Sequence, residues 1–84
     1  MALTFEQAVA DSKTLSAKPS NDILLQLYSL YKQAIDGDAP EKGDYNMFDF
    51  VAKAKHEAWK KHIGMNADDA KEKYIALVEN LKAL

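Results

Sequence analysis

The segment Ser20–Gly37, SNDILLQLYSLYKQAIDG, decides how this chain folds. Leu24, Leu27, Tyr28, Tyr31, Ala34 and Ile35 recur at helical steps and line one stripe. Ile23, Leu25 and Leu30 widen that stripe on both sides. A helix buried on one face needs a narrower arc, so the surplus implies two neighbouring helices, or one neighbour and a ligand. Ser20 or Asn21 supplies the N-cap, and Gly37 stops the helix after Asp36.

Three further helices follow outward from this one. Thr4 and Gln7 fit a capping box, after which Phe5, Ala8, Val9, Ser12 and Leu15 share a face. Ser16–Ser20, with Pro19, reads as a connector. Residues 36–49 are acidic and rich in turn formers, a loop longer than most connections. A third helix starts after Asp49, with Phe50, Ala54, Ala58, Trp59 and Ile63 as its apolar positions and Gly64 as its stop. Asn66 caps a fourth, whose inner face is Ala67, Ala70, Tyr74, Leu77, Val78 and Leu81, with Asp68 and Asp69 at its positive end. The 84 residues hold no Cys, so neither disulfides nor thiolate metal sites are available and stability must come from packing. The expectation is an all-α four-helix bundle forming a single domain over 1–84, with a long loop between helices 2 and 3.

Several function classes are disfavoured. The formal charge is −2 and all eleven basic side chains are Lys, so both a basic field and the Arg forks that read nucleic acid are missing. Neither a signal-peptide core nor a run of roughly 20 apolar residues is visible, so the expected compartment is the cytoplasm. Asp36, Asp38, Asp44 and Asp49 prompt a test for calcium, but an EF-hand loop begun at Asp36 has Pro40 and Met47 at ligand positions. His56 and His62, six residues apart, face opposite ways on one helix and do not clasp a metal. No nucleophile sits beside a base at recognisable spacing, so no catalytic residue is expected.

The informative strip is Leu25, Tyr28 and Lys32 at i, i+3 and i+7, with Tyr31 one turn from Tyr28 toward the core side. It offers an apolar floor, a phenol and an ammonium in order, which suits a ligand with an apolar part, a ring and a phosphate. The same strip also fits an ordinary bundle in which the tyrosine hydroxyls and Lys32 reach out to water. Lys53, Lys55, Lys60 and Lys61 form a second basic cluster, equally at home on a solvated helix face. A helical module docking a partner's helix on the wide arc of the second helix is a further alternative.

Taken together, the residues resemble the acyl-CoA-binding protein family. The resemblance runs through Phe5, Ala8, Lys13, Leu15 and Lys18-Pro19, then Tyr28-Ser29-x-Tyr31-Lys32-Gln33-Ala34 and Gly37-Asp38, and on through Lys53-Ala54-Lys55, Ala58-Trp59 and Tyr74. It implies an up-down-down-up bundle that binds long-chain fatty acyl-CoA and acts as an intracellular carrier and pool former. By the same resemblance Lys32, Lys55 and Tyr28 would hold the ribose 3′-phosphate, and Tyr31 would stack on adenine with Lys13 nearby. Tyr74 would add a hydroxyl contact. Leu25, with Phe5 and Ala8 or Val9 across from it, would border the headgroup and acyl chain. The implied partner is the ester itself, with brief contacts to acyl-CoA-using enzymes or membranes, no stable membrane insertion and no nucleic acid. A monomer without cofactor or metal is expected. His56 departs from the Trp that many members carry there, and Asn21 from a common Asp.

Overall fold

The computed structural model describes residues 3–83, in four helices: α1 (Phe5–Ser12), α2 (Asn21–Asp36), α3 (Phe50–Lys60) and α4 (Ala67–Lys82). Side-chain oxygens cap each N-terminus. Thr4 and Gln7 close the expected capping box, with Gln7 N donating to Thr4 Oγ1 at 3.1 Å and Thr4 N to Gln7 Oε1 at 3.0 Å. Ser20, rather than Asn21, caps α2, Asp49 caps α3 and Asn66 caps α4. Gly37 ends α2 with φ 78°, a left-handed conformation that a Cβ disfavours.

Side-chain pairs set the helix directions. Tyr28 meets Lys55 and, one turn on, Lys32 meets Trp59, so α2 and α3 run parallel. Phe5 meets Tyr74 and Asp11 meets Lys82, so α1 and α4 also run parallel. Gln33, late in α2, reaches the carbonyl of Met65 just ahead of α4, which sets those two antiparallel. The topology is therefore up-down-down-up. α2 packs on both α3 and α4, and α4 also packs on α1. The wide arc of α2 is thereby explained by two neighbours.

The core joins Phe5, Ala8, Leu27, Leu30, Ala34, Ala70, Tyr74 and Val78. Ala8 and Ala70 have no exposed surface, and side chains this small let α1 and α4 approach closely.

Three expectations need correcting. α1 stops at Ser12, whose Oγ donates to Val9 O, so Leu15 lies beyond the helix. α3 stops at Lys60, and His62 and Ile63 then bond three residues back in a tightened turn before Gly64. That turn leaves Ile63 53% exposed, and Phe50, the first residue of α3, is 71% exposed; neither is core. The half-buried Ala54 and Ala58 face α2 instead, while His56 is buried on the loop side with its Nε2 2.7 Å from Pro40 O. His62 is therefore not on the same helix as His56. Its Nε2 shares a hydrogen bond of 3.0 Å with the Ser29 hydroxyl.

No helix among the described residues is long and apolar enough to cross a membrane.

Two outcomes follow from this packing. Leu30→Ala is expected to cost about 2–5 kcal/mol in urea unfolding, whereas Ile63→Ala changes stability by no more than about 0.5 kcal/mol. Burial, then Lys73 and Lys61, hold His62 below its ordinary pKa, so the folded state disfavours the charged ring. The unfolded chain then takes up a proton first, and stability declines as pH falls through about 6.5 toward the lowered folded value. His62→Asn should flatten that part of a stability profile measured from about pH 8 to about pH 5.

Candidate ligand-binding site

The parallel pair α2 and α3 crosses its charges and rings. Lys55 Nζ of α3 lies 5.3 Å from the centre of the Tyr28 ring of α2. Lys32 Nζ of α2 lies 4.9 Å from that of Trp59 of α3. Each ammonium thus sits over a ring of the opposite helix, where the ring quadrupole attracts it. Trp59 is fixed from behind, its Nε1–H donating to Gly37 O at 2.8 Å. Lys32 is also ion-paired with Asp36, one turn on. The hydrogen bond to that carboxylate is the main reason Lys32 titrates above its ordinary value, with burial opposing it.

An apolar cleft of about 370 Å³ adjoins these rungs between the first turns of α2 and α3. Leu24, Leu25, Phe50, Val51 and Ala54 line it, and Lys55 stands at its edge. A smaller hollow of about 240 Å³ touches Tyr28, Lys55 and Trp59 from the loop side, beside Asp44 and Tyr45. Gly43 leaves room there: a Cβ would run into the Tyr45 ring and His56. A larger cleft, about 480 Å³, lies at the same seam but touches neither Tyr28 nor Lys32. Its walls carry Asp22, Glu57, Lys61 and His62, a mixed set with no concentrated positive charge.

A second cluster forms where α1 meets α4. Phe5 stacks with Tyr31 at 6.0 Å between ring centres and takes the edge of Tyr74 at 5.3 Å. Lys71 Nζ lies 5.6 Å over the Phe5 ring. The Tyr74 hydroxyl donates to Ser12 Oγ at 3.0 Å, and only 3% of the residue is exposed.

Of the residues singled out from sequence, the structure brings Leu25, Tyr28, Lys32 and Lys55 together at the α2–α3 seam. Phe5, Ala8, Val9, Tyr31 and Tyr74 gather around α1 and α4. Phe5, Ala8 and Val9 do not stand across from Leu25, because α1 packs on α4 while Leu25 faces α3. Tyr31 is not on the core side: it is 37% exposed, while Tyr28 is half-buried. Ala8 is fully buried and can shape a surface but not touch a ligand. Lys13 is exposed at the C-cap of α1 and joins neither group. Sequence reasoning missed Lys71, Asp36, Leu24 and Val51 as site neighbours. Lys71 and Tyr74 stand three apart on α4, a signal that could have marked the first of these.

The chain has counterparts among known proteins. Residues 2–78 match the family model described as acyl-CoA-binding protein. The chain is 48% identical over 83 residues to acyl-CoA-binding protein homolog 1 of Caenorhabditis elegans, covering 99% of this chain and 95% of that one. The crystal structure of Oryza sativa acyl-CoA-binding protein 2 superposes with a TM-score of 0.81 at 36% identity, over 92% of this chain and 84% of that one. The solution structure of yeast acyl coenzyme A binding protein gives 0.74 at 43%, over 94% and 91%. The chain belongs to the acyl-CoA-binding protein family.

Asp36→Asn removes the main cause of the raised Lys32 pKa. The Lys32 ammonium, followed by NMR through its titration, is expected to lose its proton at lower pH in this variant than in the parent.

Proposed function

We propose that this chain binds long-chain fatty acyl-CoA esters non-covalently and carries them in the cytoplasm, as a monomer acting as one binding domain over 1–84. The observation that supports this most is the pair of ammonium groups, Lys32 and Lys55, seated on facing rings, with Lys55 at the edge of an apolar cleft. Lys32 and Lys55 hold the ribose 3′-phosphate, with the Tyr28 hydroxyl as a third donor. Asp36 neutralises Lys32 until the phosphate takes its place. Tyr31, the exposed ring of the second cluster, offers a face to adenine. Tyr74, its hydroxyl committed to Ser12, steadies Phe5 and Tyr31 from below, with Ala8 and Val9 as the packing beneath; Lys13 meets the headgroup from solvent. The acyl chain lies along Leu25 in the cleft.

Two contributions divide the labour. Each buried methylene adds about 0.8 kcal/mol, so a dozen could supply about 10 kcal/mol before ordering losses. That grades ligands by length but treats a free fatty acid much as it treats its ester. Selection for the ester comes from the phosphate, where charge-assisted hydrogen bonds contribute about 1.5–3 kcal/mol each. No bond is made or broken, so the reading is a carrier, not an enzyme. A helix-docking module is less well supported, because α3 and α4 already cover the wide arc of α2.

In titration calorimetry with a long-chain acyl-CoA, Lys32→Ala is expected to weaken binding about 10- to 150-fold. Esters of dephospho-coenzyme A, lacking the 3′-phosphate, should lose at least that factor on the parent protein and less on the variant, where Lys55 and Tyr28 alone still hold the phosphate. Equal affinity of parent and variant for the intact ester would show that Lys32 does not hold the phosphate.

A further inference from the structure

The two lysines of the seam are not equivalent. Each lies over a ring of the opposite helix, but among the described residues only Lys32 of the pair also meets a carboxylate, that of Asp36. The hydrogen bond to Asp36 raises Lys32 above its ordinary pKa, with burial opposing it. One cation of the site is therefore open to an incoming anion, and the other already holds one.

The stability of α2 does not account for Asp36. It is the last residue of the helix, at the end where unpaired carbonyls leave a partial negative charge. A base belongs there, yet the last turn carries none. Lys32 comes four residues before Asp36, which is the weaker of the two orders for an ion pair along a helix. With side chains 27% and 44% exposed, such a pair contributes little to folding. Asp38, the next acid along, has a structural task, accepting from Gln33 Nε2 and Gly64 N. Among the described residues Asp36 has no side-chain bond except to Lys32. A helix-end rule broken with no gain in packing points to the site.

We propose that Asp36 is the release residue of this site, a resident anion that competes with the ribose 3′-phosphate for Lys32. The phosphate, nearly doubly charged at neutral pH, outbids the single charge of the carboxylate. Asp36 then turns out to water, as its exposure allows. When the phosphate lifts, the carboxylate retakes the ammonium from one helical turn away, so the headgroup leaves sooner than two uncovered lysines would permit. Affinity is held below what the lysine pair could give, which suits a carrier that must hand on its cargo. The inference rests on the acyl-CoA reading and adds to it the group that limits how long the ester stays.

Asp36→Asn keeps the size of the side chain and removes its charge. In titration calorimetry with a long-chain acyl-CoA, this variant is expected to bind about two- to fivefold more tightly than the parent. Most of the gain should appear as slower release, followed in stopped flow by displacing a fluorescent acyl-CoA with excess unlabelled ester. Asp36→Glu, which keeps a charge within reach of Lys32, should behave as the parent. Esters of dephospho-coenzyme A bring no 3′-phosphate to Lys32 and should bind the parent and Asp36→Asn alike. In a Lys32→Ala background Asp36→Asn should gain less than it does in the parent, because the contested cation is gone. Equal or weaker binding of the intact ester by Asp36→Asn overturns the inference. So does a gain that persists undiminished with the dephospho esters or without Lys32, since Asp36 would then merely repel anions. A parent that binds no ester refutes the acyl-CoA reading and this inference with it; a parent that binds while Asp36→Asn does not improve refutes this inference alone.

Discussion

The carboxamide of Gln33 holds the bundle in register. It has no exposed surface, and its Nε2 donates to Asp38 Oδ1 and to Met65 O, both at 2.8 Å. The same carboxylate oxygen accepts from Gly64 N at 2.9 Å. That bond first, and the one from Gln33 second, hold Asp38 below its ordinary carboxylate range. One amide and one acid thus tie the end of α2, the start of the long loop and the turn into α4. Parallel helices need a long return path, and a free loop of that length would let α3 slide along α2. Trp59 bonded to Gly37 O and His56 at Pro40 O add two more anchors, both on the loop. With α3 fixed in height, Lys55 meets Tyr28 and Lys32 meets Trp59.

Much of this was legible in local sequence. The caps Thr4, Asp49 and Asn66 and the stop at Gly37 depend on a few neighbouring atoms, and the structure places them as expected. The wide arc of α2 left two neighbours, or one neighbour and a ligand, as the choices, and the structure has α3 and α4 packed on it. The errors lie where a distant segment decides. A histidine reads as polar, yet His56 is buried because the returning loop brings a carbonyl to it. Phe50 and Ile63 read as core, but Phe50 opens α3 and Ile63 lies in the turn beyond it, and both stay largely exposed. The candidate site divides the same way. Leu25, Tyr28 and Lys32 belong to one helix and their spacing sufficed to group them. Which ring each lysine would cover depended on the height of α3, which spacing does not encode.

The same seam explains how a chain of net negative charge can offer a cationic recess. Ala54 and Ala58 are small, so α3 lies close to α2 and the longer side chains are turned to the flanks. On one flank Leu24, Val51 and Lys55 stand around an apolar cleft; on the other, Asp22, Glu57 and His62 surround a polar one. Lysine, unlike arginine, brings a compact charge on a flexible stem that can leave a ring or a carboxylate for a phosphate without reorienting a planar fork.

Trp59 is the chain's single tryptophan, and it lies beneath the Lys32 ammonium with its indole N–H anchored to backbone. The molecule therefore contains a single indole fluorophore, and a neighbour that acts on it is the very cation that an incoming anion would draw away. Its emission is a built-in gauge of where that charge resides, readable in unlabelled protein.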